Sequence, residues 1–255
     1  MGFIETETQG DVVTLRLNRP DVRNALNDAV IAEMTASFAS LPATARAVVL
    51  AGAGPAFCSG ADAEWMKRSK SFTREENERD AAAVSGLFRL IDECPVPVIA
   101  RLHGAAMGGG VGLAAACDIL IAEEGTQFGF PEVRLGIVPA VISTYILPRI
   151  GAGRARRYFL TGERFGAVEA LAMGLIHEVA PGGQLDARVE AVVGEILKGG
   201  ALAIKAAKRL IREAAGLPRE KAVQETIRLI SEIRVSPEAQ EGLAAFLEKR
   251  KPNWP

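Results

Sequence analysis

The chain has 255 residues, of which 49% are hydrophobic and 24% charged, and its 30 Lys and Arg residues nearly balance 31 Asp and Glu. This composition is typical of a globular protein with a sizeable core, and the length fits one large α/β domain or a domain with an appendage. A net charge of −1 gives no support for nucleic-acid binding through a broadly basic surface, so we expect no nucleic-acid partner.

Cysteine usage and hydropathy limit the cellular setting. The three cysteines, Cys58, Cys94 and Cys117, stand too far apart to indicate a metal pair or a disulfide framework, and they fit a reducing compartment. The segment MGFIETETQGDVV lacks the charged and apolar regions of a secretory signal. Because no window offers about 18 uncharged apolar residues, we expect no membrane-spanning helix. The sequence therefore predicts a soluble cytoplasmic protein with no metal site and no membrane partner.

Strand and helix patterns alternate through the first part of the chain. Residues 2–8 and 11–18 form a predicted hairpin, and Asn27 caps the helix that is predicted after it. A capping box of Thr73 and Glu76 opens a second helix. Further strands are predicted at 45–52, 97–104, 118–123 and 175–179, with a short helix at 169–173. This alternation predicts an α/β fold with parallel strand pairing.

The character of the sequence changes after Gly199-Gly200. From there to the end three helices are predicted, separated by Pro218 and by the Ser236-Pro237 pair. We therefore predict a core of residues 1–198 followed by a distinct helical region of residues 199–255.

Two glycine-bearing turns are the first candidate for chemistry. They are GPAFCSGADAEWM at 54–66 and HGAAMGGGVGLAAACDI at 103–119, and each follows a predicted strand. Glycine costs a helix about 1 kcal/mol relative to alanine, yet glycines crowd the start of the helix predicted in the second segment. The first N–H groups of a helix lack intrahelical partners, and two such groups aimed at one point form an oxyanion hole. A plain turn or a close packing point is the alternative interpretation.

Glu132 is the second candidate, in the segment FGFPEVRLGIVPA at 128–140. Its apolar neighbours, which include Leu135 and Ile137, predict partial burial. Burial raises the pKa of a carboxyl group toward the range of a general acid or base. A solvated surface glutamate is the alternative.

Motifs for hydrolysis and nucleotide binding are not indicated. Ser59 lies outside a G-x-S-x-G elbow, and neither His103 nor His177 receives a catalytic role, so the sequence does not support a Ser-His-Asp hydrolase. The stretch GGGVGL lacks both the spacing of a P-loop and its Lys-Ser/Thr pair.

Four segments together resemble the enoyl-CoA hydratase/isomerase (crotonase) superfamily. They are FCSGADAEWM, HGAAMGGGVGLAAACDI, FGFPEVRLGIVPA and AFLEKRKPNW, and the resemblance runs from NRPDVRNALN to the last residues. It implies a spiral of ββα turns with a C-terminal helical region that builds homotrimers, usually paired into homohexamers. It also implies acyl-CoA thioester substrates, with coenzyme A as part of the substrate and no separate cofactor.

The same resemblance assigns roles to individual residues. The N–H groups of Ala61 and Gly109 would hold the thioester oxygen, and Glu132 is the glutamate of the P-E motif. The basic end from Lys249 to Lys251 would reach a phosphate of coenzyme A. The further positions implied in substrate or coenzyme A binding are Arg23, Ala25, Gly60, Asp62, Ala63, Gly108, Gly112 and Tyr145.

One position departs from the family pattern. Typical hydratases carry a second glutamate two residues after the glycine triplet, and here that position is Gly112. The stretches GADAEWM, ENERDA, EVRLGIVPAVIS and IRVSPEAQEGLAAFLEKR are similar to the bacterial 3-methylglutaconyl-CoA hydratases of leucine catabolism. This similarity implies hydration of 3-methylglutaconyl-CoA to 3-hydroxy-3-methylglutaryl-CoA with Glu132 as the single acid–base group.

A substrate of this kind carries a distal carboxylate that needs a cationic or hydroxyl partner. The candidates, unranked, are Lys67, Arg68, Arg134 and Tyr145, although most Lys and Arg side chains are solvated surface groups. Three other functions stay open: a short-chain enoyl-CoA hydratase, a Δ3,Δ2-enoyl-CoA isomerase, and a non-catalytic RNA-binding or scaffold role on the same fold.

Overall fold

The computed structural model describes residues 2–254. The strands of this part of the chain are β1 (Ile4–Gln9), β2 (Val12–Leu17), β3 (Ala47–Gly52), β4 (Val98–Leu102), β5 (Ala105–Met107), β6 (Ile119–Glu123), β7 (Gln127–Gly129), β8 (Arg164–Gly166) and β9 (Glu178–Ala180). Its α-helices are α1 (Asp28–Ala39), α2 (Ala63–Ser69), α3 (Arg74–Asp92), α4 (Gly109–Ala115), α5 (Ala140–Thr161), α6 (Ala167–Ala172), α7 (Leu185–Lys198), α8 (Ala201–Ala214), α9 (Arg219–Arg234) and α10 (Pro237–Leu247). Two short 3-10 helices span Pro20–Val22 and Pro131–Leu135.

A six-stranded sheet in the order β1-β2-β3-β4-β6-β9 forms the frame of the molecule. β1 and β2 are the predicted antiparallel hairpin, and every further pairing in this sheet is parallel. All positions of β3 are buried, as expected for a parallel strand that is covered on both faces. The predicted α/β architecture with parallel pairing is confirmed.

A second, three-stranded sheet of β5, β7 and β8 was not predicted from the sequence. β5 pairs with β7 in parallel and β7 pairs with β8 in antiparallel fashion. Strands of three residues carry too little alternation to stand out in a sequence. Helix α5 was missed as well, because Pro148 and a kink at Gly151 (φ 71°, ψ 160°) interrupt its pattern.

The predicted N-terminal caps of α1 and α3 are confirmed. The Asn27 side chain accepts a hydrogen bond from the N–H of Val30 at 2.9 Å and caps α1. In the capping box before α3, the N–H of Glu76 donates to Thr73 Oγ1 at 3.2 Å, and the N–H of Thr73 donates to Glu76 Oε2 at 2.7 Å. A cap of this kind contributes about 1 kcal/mol to helix stability.

The strand predicted at 175–179 is wrong in its bounds, since the structure places β9 at Glu178–Ala180. The chain turns at Gly174, which has a φ of 82°. The N–H groups of Leu175 and Ile176 then donate to the carbonyl of Ala170 at 2.9 and 3.4 Å, so both residues close α6. Their apolar character reflects burial in the core and not strand pairing.

The chain divides into two compact units. The first runs to Cys94 and continues from Val98 to Glu190, and the second comprises Pro95–Pro97 and the chain from Ala191 onward. In the second unit α8, α9 and α10 pack on one another, and they are the three helices predicted from the sequence. The predicted boundary at 198/199 coincides with the end of α7, and the role of the helical region in oligomerisation stays a prediction. No helix within residues 2–254 is long and apolar enough to cross a membrane.

Candidate active site

The two glycine-bearing turns lie side by side. Cys58 and Ala106 form an isolated parallel bridge. The N–H of Cys58 donates to the carbonyl of Ala105 at 3.1 Å, and the N–H of Met107 donates to the carbonyl of Cys58 at 3.0 Å. Burial raises the pKa of the Cys58 thiol to about 12, so this residue joins backbones and offers no thiolate nucleophile.

This pairing brings Ala61 and Gly109 together. Each lies three residues beyond its member of the Cys58–Ala106 bridge. Because the two segments run in the same direction, equal offsets from the bridge keep the two residues close. A Cβ atom on Gly60 would stand 3.8 Å from the nitrogen of Gly109. The two turns therefore meet at the residues that the sequence singled out.

Both turns need glycine because the backbone has a positive φ there and other atoms approach it closely. Gly60 has a φ of 92°, and a Cβ there would lie 2.7 Å from the carbonyl oxygen of Met107. Gly108 has a φ of 48°, and a Cβ there would lie 2.9 Å from Oε1 of Glu132. Side chains rarely adopt such positive φ values, so glycine allows the close approach of backbone to backbone and of backbone to the Glu132 carboxyl group.

The N–H groups of Ala61 and Gly109 have no acceptor among the described residues, whereas those of Asp62 and Gly108 are paired. The N–H of Asp62 donates to the carbonyl of Leu26 at 2.8 Å, and the N–H of Leu26 donates to the carbonyl of Gly60 at 2.7 Å. Gly109 is the first residue of α4, where an N–H without an intrahelical partner is expected. Two unpaired amides at one place can bind an oxygen atom that carries negative charge.

Glu132 places a carboxyl group beside this pair of amides. Its Oε2 is buried and has no hydrogen-bond partner within residues 2–254. Burial raises the pKa of Glu132 above its usual 4.5, and a backbone hydrogen bond within the same residue lowers it by a smaller amount. A buried carboxyl group without a fixed partner can accept and return a proton.

The predicted partial burial of Glu132 is confirmed, but the predicted contribution of two neighbours is wrong. Leu135 is 60% exposed and Ile137 is 55% exposed, whereas Phe128 and Phe130 are fully buried. The sequence did not distinguish the two sets because all four are apolar. Leu135 ends the 3-10 helix and Ile137 follows it, where the chain runs over the surface.

Gly112 stands in a different environment from Gly108. A Cβ on Gly112 would lie 2.3 Å from Cγ2 of Ile142 and 2.8 Å from Cε2 of Phe88. These two side chains occupy the space that a larger residue would need. The apolar packing of α4 against α5 and α3 thus leaves no room for a second carboxyl group at this position.

A cleft of about 570 Å³ opens beside Ala61. Its lining includes four residues predicted for coenzyme A binding and the oxyanion site, which are Ala25, Ala61, Asp62 and Ala63, and one candidate for the distal carboxylate, Arg68. The other lining residues were not predicted for the site and are Arg19, Val22, Asn27, Ser59, Glu64 and Trp65. Arg23 lies next to it in the left-handed conformation (φ 52°), with its carbonyl accepting from the N–H of Ser59 at 2.9 Å. Ala61 belongs both to this cleft and to the pair of amides, so it connects the two parts of the candidate site.

A family model described as enoyl-CoA hydratase/isomerase matches residues 7–255. The chain belongs to this family. It is 32% identical over 252 residues to a crotonyl-CoA hydratase of Syntrophomonas wolfei, covering 97% of this chain and 96% of that protein. It is 32% identical over 249 residues to a short-chain-enoyl-CoA hydratase of Clostridium acetobutylicum, covering 96% of this chain and 94% of that protein.

A crystal structure of an enoyl-CoA hydratase from Shewanella pealeana matches with a TM-score of 0.93 at 36% identity. The match covers 99% of this chain and 96% of that one. The predicted crotonase fold is confirmed, and membership of the family makes acyl-CoA thioesters the substrate class that the site has to accommodate.

In this family member Asp62 has a structural task that the sequence did not reveal. Its carboxylate pairs with Nη2 of Arg19 at 2.8 Å and accepts from the N–H groups of Glu64 and Trp65, which caps α2. Burial raises its pKa, but the bond from Arg19 and the two amides together lower it further, so the net shift is downward. Asp62 therefore holds the cleft wall in place through partners that already occupy both oxygens.

Asn24 is the site residue that sequence reasoning missed most clearly. It is fully buried, with a φ of 57°. Its side chain accepts from the N–H of Arg19 at 2.8 Å and donates to the carbonyls of Ala53 and Ala56 at 2.8 and 2.7 Å. It joins the segment before α1 to the first glycine turn. Asparagine tolerates the left-handed conformation, which is the only signal that the sequence offered.

The four candidates for a distal carboxylate lie in different places. Arg68 lines the cleft and pairs with Asp28 at 2.8 Å, and Lys67 is 75% exposed. Arg134 donates from Nε to the carbonyl of Thr161 at 3.2 Å. Among the four, only Arg68 belongs to the cleft that contains Ala61.

Tyr145 has a setting that disfavours an anion. Its ring stands edge-on to Phe88 with centroids 5.8 Å apart. Burial raises its pKa, and the charges of Asp92 and Glu93 raise it further. Neighbouring carboxylates repel a substrate carboxylate, so Tyr145 is a poor partner for one.

The remaining predicted residues lie outside the cleft lining. Lys249 follows α10 with a φ of 56°, and its contact with coenzyme A stays a prediction. Arg250, the middle residue of the basic end, pairs with Glu241 and Glu248 at 2.7 Å each and holds the pKa of Glu241 to about 2. Within residues 2–254 no cluster of three or more His, Cys, Asp or Glu side chains is placed to hold a metal ion.

Proposed function

We propose that this protein catalyses the reversible addition of water to the 2,3 double bond of 3-methylglutaconyl-CoA, giving 3-hydroxy-3-methylglutaryl-CoA. One observation carries the proposal. The carboxyl group of Glu132, whose buried Oε2 has no partner within residues 2–254, lies against Gly108 next to one of the two unpaired amides, and apolar side chains fill the position at Gly112 where typical relatives carry a second carboxyl group.

The two amides act on the thioester oxygen. As water adds, negative charge moves onto this oxygen and an enolate forms. The N–H groups of Ala61 and Gly109 donate to it, each worth about 3–4 kcal/mol in the transition state. This contribution needs no side chain, which explains why glycine and alanine stand here.

Glu132 moves the proton. Its carboxylate takes one proton from water while the water oxygen bonds to C3 of the substrate. The protonated Glu132 then gives that proton to C2 of the enolate, so the elements of one water molecule are added and the carboxylate is restored. A pKa raised by burial suits both steps, because a group that titrates closer to neutral pH both accepts and returns a proton efficiently.

The substrate assignment follows from the missing second carboxyl group. C3 of 3-methylglutaconyl-CoA carries a methyl branch, and its hydrated product has a tertiary alcohol. Positive character at a tertiary carbon is better tolerated, so breaking or forming the C–O bond there needs less help from a second carboxylate. Gly112 is then compatible with turnover of this substrate, and the resemblance of the sequence to 3-methylglutaconyl-CoA hydratases supports the same choice.

Arg68 is our candidate for the distal carboxylate. It shares the cleft with Ala61 and is 55% exposed in its side chain. Its ion pair with Asp28 is an exposed surface pair, and such pairs contribute little to stability, so Arg68 can exchange Asp28 for a substrate carboxylate.

Isomerisation of a 3-enoyl-CoA to a 2-enoyl-CoA is the second candidate, because a proton shift between C2 and C4 needs only one base. The single carboxyl group of Glu132 favours it as much as it favours hydration of a branched substrate. The chain is 32% identical both to the crotonyl-CoA hydratase of Syntrophomonas wolfei and to the short-chain-enoyl-CoA hydratase of Clostridium acetobutylicum, so crotonyl-CoA belongs in the same test.

The test is a substrate panel with the purified protein and two matched variants. We expect the highest kcat/KM for hydration of 3-methylglutaconyl-CoA, above crotonyl-CoA and above isomerisation of 3-hexenoyl-CoA. Glu132→Gln should lower turnover about 10²–10⁴-fold, while Glu124→Gln, at an exposed loop position, should leave it unchanged. A preference for crotonyl-CoA or for isomerisation would overturn the substrate assignment, and normal turnover by Glu132→Gln would remove Glu132 from the reaction.

A further inference from the structure

Arg149 on α5 is a half-buried arginine that donates hydrogen bonds to the C-terminal end of the helix that carries Gly109. Its Nε donates to the carbonyl of Ala115 at 3.0 Å, and its Nη2 donates to the carbonyl of Cys117. Ala115 is the last residue of α4 and Cys117 lies in the turn that follows. Arg149 therefore binds two backbone carbonyls at the C-terminal end of α4.

Helix α4 consists mostly of small residues. Its sequence is GGVGLAA, and all its residues after Gly109 are buried. Helices normally pack by inserting side chains into grooves of their neighbours, and in α4 only Val111 and Leu113 are larger than alanine. Hydrogen bonds to the end of such a helix therefore add to the contacts that fix its position along its axis.

The carbonyls at the end of α4 show where Arg149 is needed. The carbonyl of Gly112 accepts from the N–H of Ala116 at 3.0 Å, and that of Ala114 accepts from the N–H of Cys117 at 2.9 Å. These bonds lie within the helix end itself. The carbonyl of Ala115 instead takes its bond from another helix through Arg149, so this contact ties α4 to α5.

We propose that Arg149 is a positioning residue that fixes α4 along its axis and so aims the N–H of Gly109 at the thioester oxygen. The proposal rests on the proposed oxyanion role of Gly109. From Gly109 to Ala115 the helix is about 9 Å long, and it moves as one unit, so a shift at its end reaches Gly109 undiminished. A misplacement of about 1 Å at a reacting centre costs about 10²-fold in rate.

The experiment compares two ligands that differ in charge on the thioester oxygen. Acetoacetyl-CoA forms an enolate that resembles the charged intermediate, and its ultraviolet absorption reports the bound enolate. Butyryl-CoA has the same coenzyme and a neutral carbonyl. A merely structural role for Arg149 would weaken both ligands alike, whereas a positioning role weakens the enolate selectively.

The variants are Arg149→Met and, as the matched control, Arg154→Met. Arg154 lies on the same helix and donates to the carbonyl of Met173 at 3.1 Å, away from α4. For Arg149→Met we expect enolate affinity to fall at least about tenfold while butyryl-CoA affinity stays within about twofold. Arg154→Met should bind both ligands as the wild type does. Arg149→Lys keeps a donor and the charge and should give an intermediate loss of enolate affinity. If Arg149→Met does not fold, the ratio of enolate affinity to butyryl-CoA affinity is measured on Arg149→Lys instead.

The outcomes distinguish the positioning role of Arg149 from the oxyanion role of Gly109 and from the proposed function. Equal losses for both ligands, or an unchanged enolate affinity, would overturn the positioning role of Arg149. A wild-type protein that binds no enolate would overturn the oxyanion role of Gly109 and the positioning role with it. A wild-type protein that binds the enolate but adds no water to any 2-enoyl-CoA would overturn the proposed function alone, while a selective loss in Arg149→Met would still support the positioning role.

Discussion

Asp62 is a buried carboxyl group and Glu132 a partially buried one, and their surroundings shift their pKa values in opposite directions. Asp62 is paired with Arg19 and two amides, and its pKa is lowered. Glu132 has a buried oxygen without a partner among the described residues, and its pKa is raised. Surroundings that shift the pKa values of two carboxyl groups in opposite directions distinguish a group with a structural role from a group that takes part in proton transfer. The comparison teaches that the carboxyl group left unsatisfied is the one available for proton transfer.

The largest expected effect comes from adding a third carboxyl group at Gly112, where apolar side chains fill the space. Gly112→Glu would drive a side chain into Ile142 and Phe88, 2.3 and 2.8 Å from the new Cβ, and would bury a charge without a partner. We expect the free energy of unfolding to fall by about 4 kcal/mol, measured by urea denaturation. The double variant Gly112→Glu/Ile142→Ala should recover part of the loss because it removes the nearest obstacle. Wild-type stability in the single variant would contradict the packing described at Gly112.

Removing the paired carboxyl group should have the next largest effect. Asp62→Ala leaves the half-buried Arg19 without its carboxylate partner and α2 without its cap, and we expect the free energy of unfolding to fall by about 3 kcal/mol. Asp62→Asn keeps the capping oxygen and should lose about half as much. Because the folded pKa of Asp62 is lowered, its stabilisation is present above the usual value of 3.8 and is lost as the pH falls below it. The difference between wild type and Asp62→Asn should therefore shrink in acid, and a constant difference would show that charge is not involved.

Removing the unpaired carboxyl group should have a smaller effect of opposite sign. Glu132→Gln should be more stable than the wild type by about 0.5–1 kcal/mol at pH 8. Since the folded pKa of Glu132 is raised, the wild type loses stability as the pH rises through that folded value, and below 4.5 the two proteins should unfold alike. Thermal unfolding across this pH range is the measurement. A Glu132→Gln protein less stable than the wild type at pH 8 would show that the carboxylate has a stabilising partner.

The last expected effect is on substrate specificity and not on stability. Arg68→Gln should raise KM for 3-methylglutaconyl-CoA about tenfold and leave KM for crotonyl-CoA unchanged. The matched control is Lys67→Gln, at the neighbouring position whose side chain is 75% exposed. An equal rise for both substrates would place Arg68 with coenzyme A and not with the distal carboxylate.

Sequence reasoning reached the backbone amides and Glu132 because glycines in a helix start and a glutamate among apolar residues are unusual patterns. It also predicted the hairpin, the helix caps and the parallel strands, whose signals are local. The small sheet that contains β5 was missed, since three residues show no periodicity. Yet the pairing of Cys58 with Ala106 beside that sheet is what brings Ala61 and Gly109 together.

Contacts between residues far apart in the chain could not be predicted from local patterns. Ile142 and Phe88 fill the space at Gly112, and nothing in their own segments indicates this. Arg149 and Asn24 are single polar residues whose importance follows from the carbonyls that they meet in the fold. The exposed Leu135 and Ile137 were misjudged for the same reason, because hydrophobicity alone does not tell which apolar residue reaches the core.

The central claim is that the amides of Ala61 and Gly109 converge on one oxygen atom, and a crystal structure of the complex with acetoacetyl-CoA tests it most directly. The account predicts that both nitrogens lie about 2.7–3.1 Å from the thioester oxygen, with the Glu132 carboxyl group next to C2. A thioester oxygen farther than about 3.5 Å from either nitrogen, or bound to other groups, would contradict it.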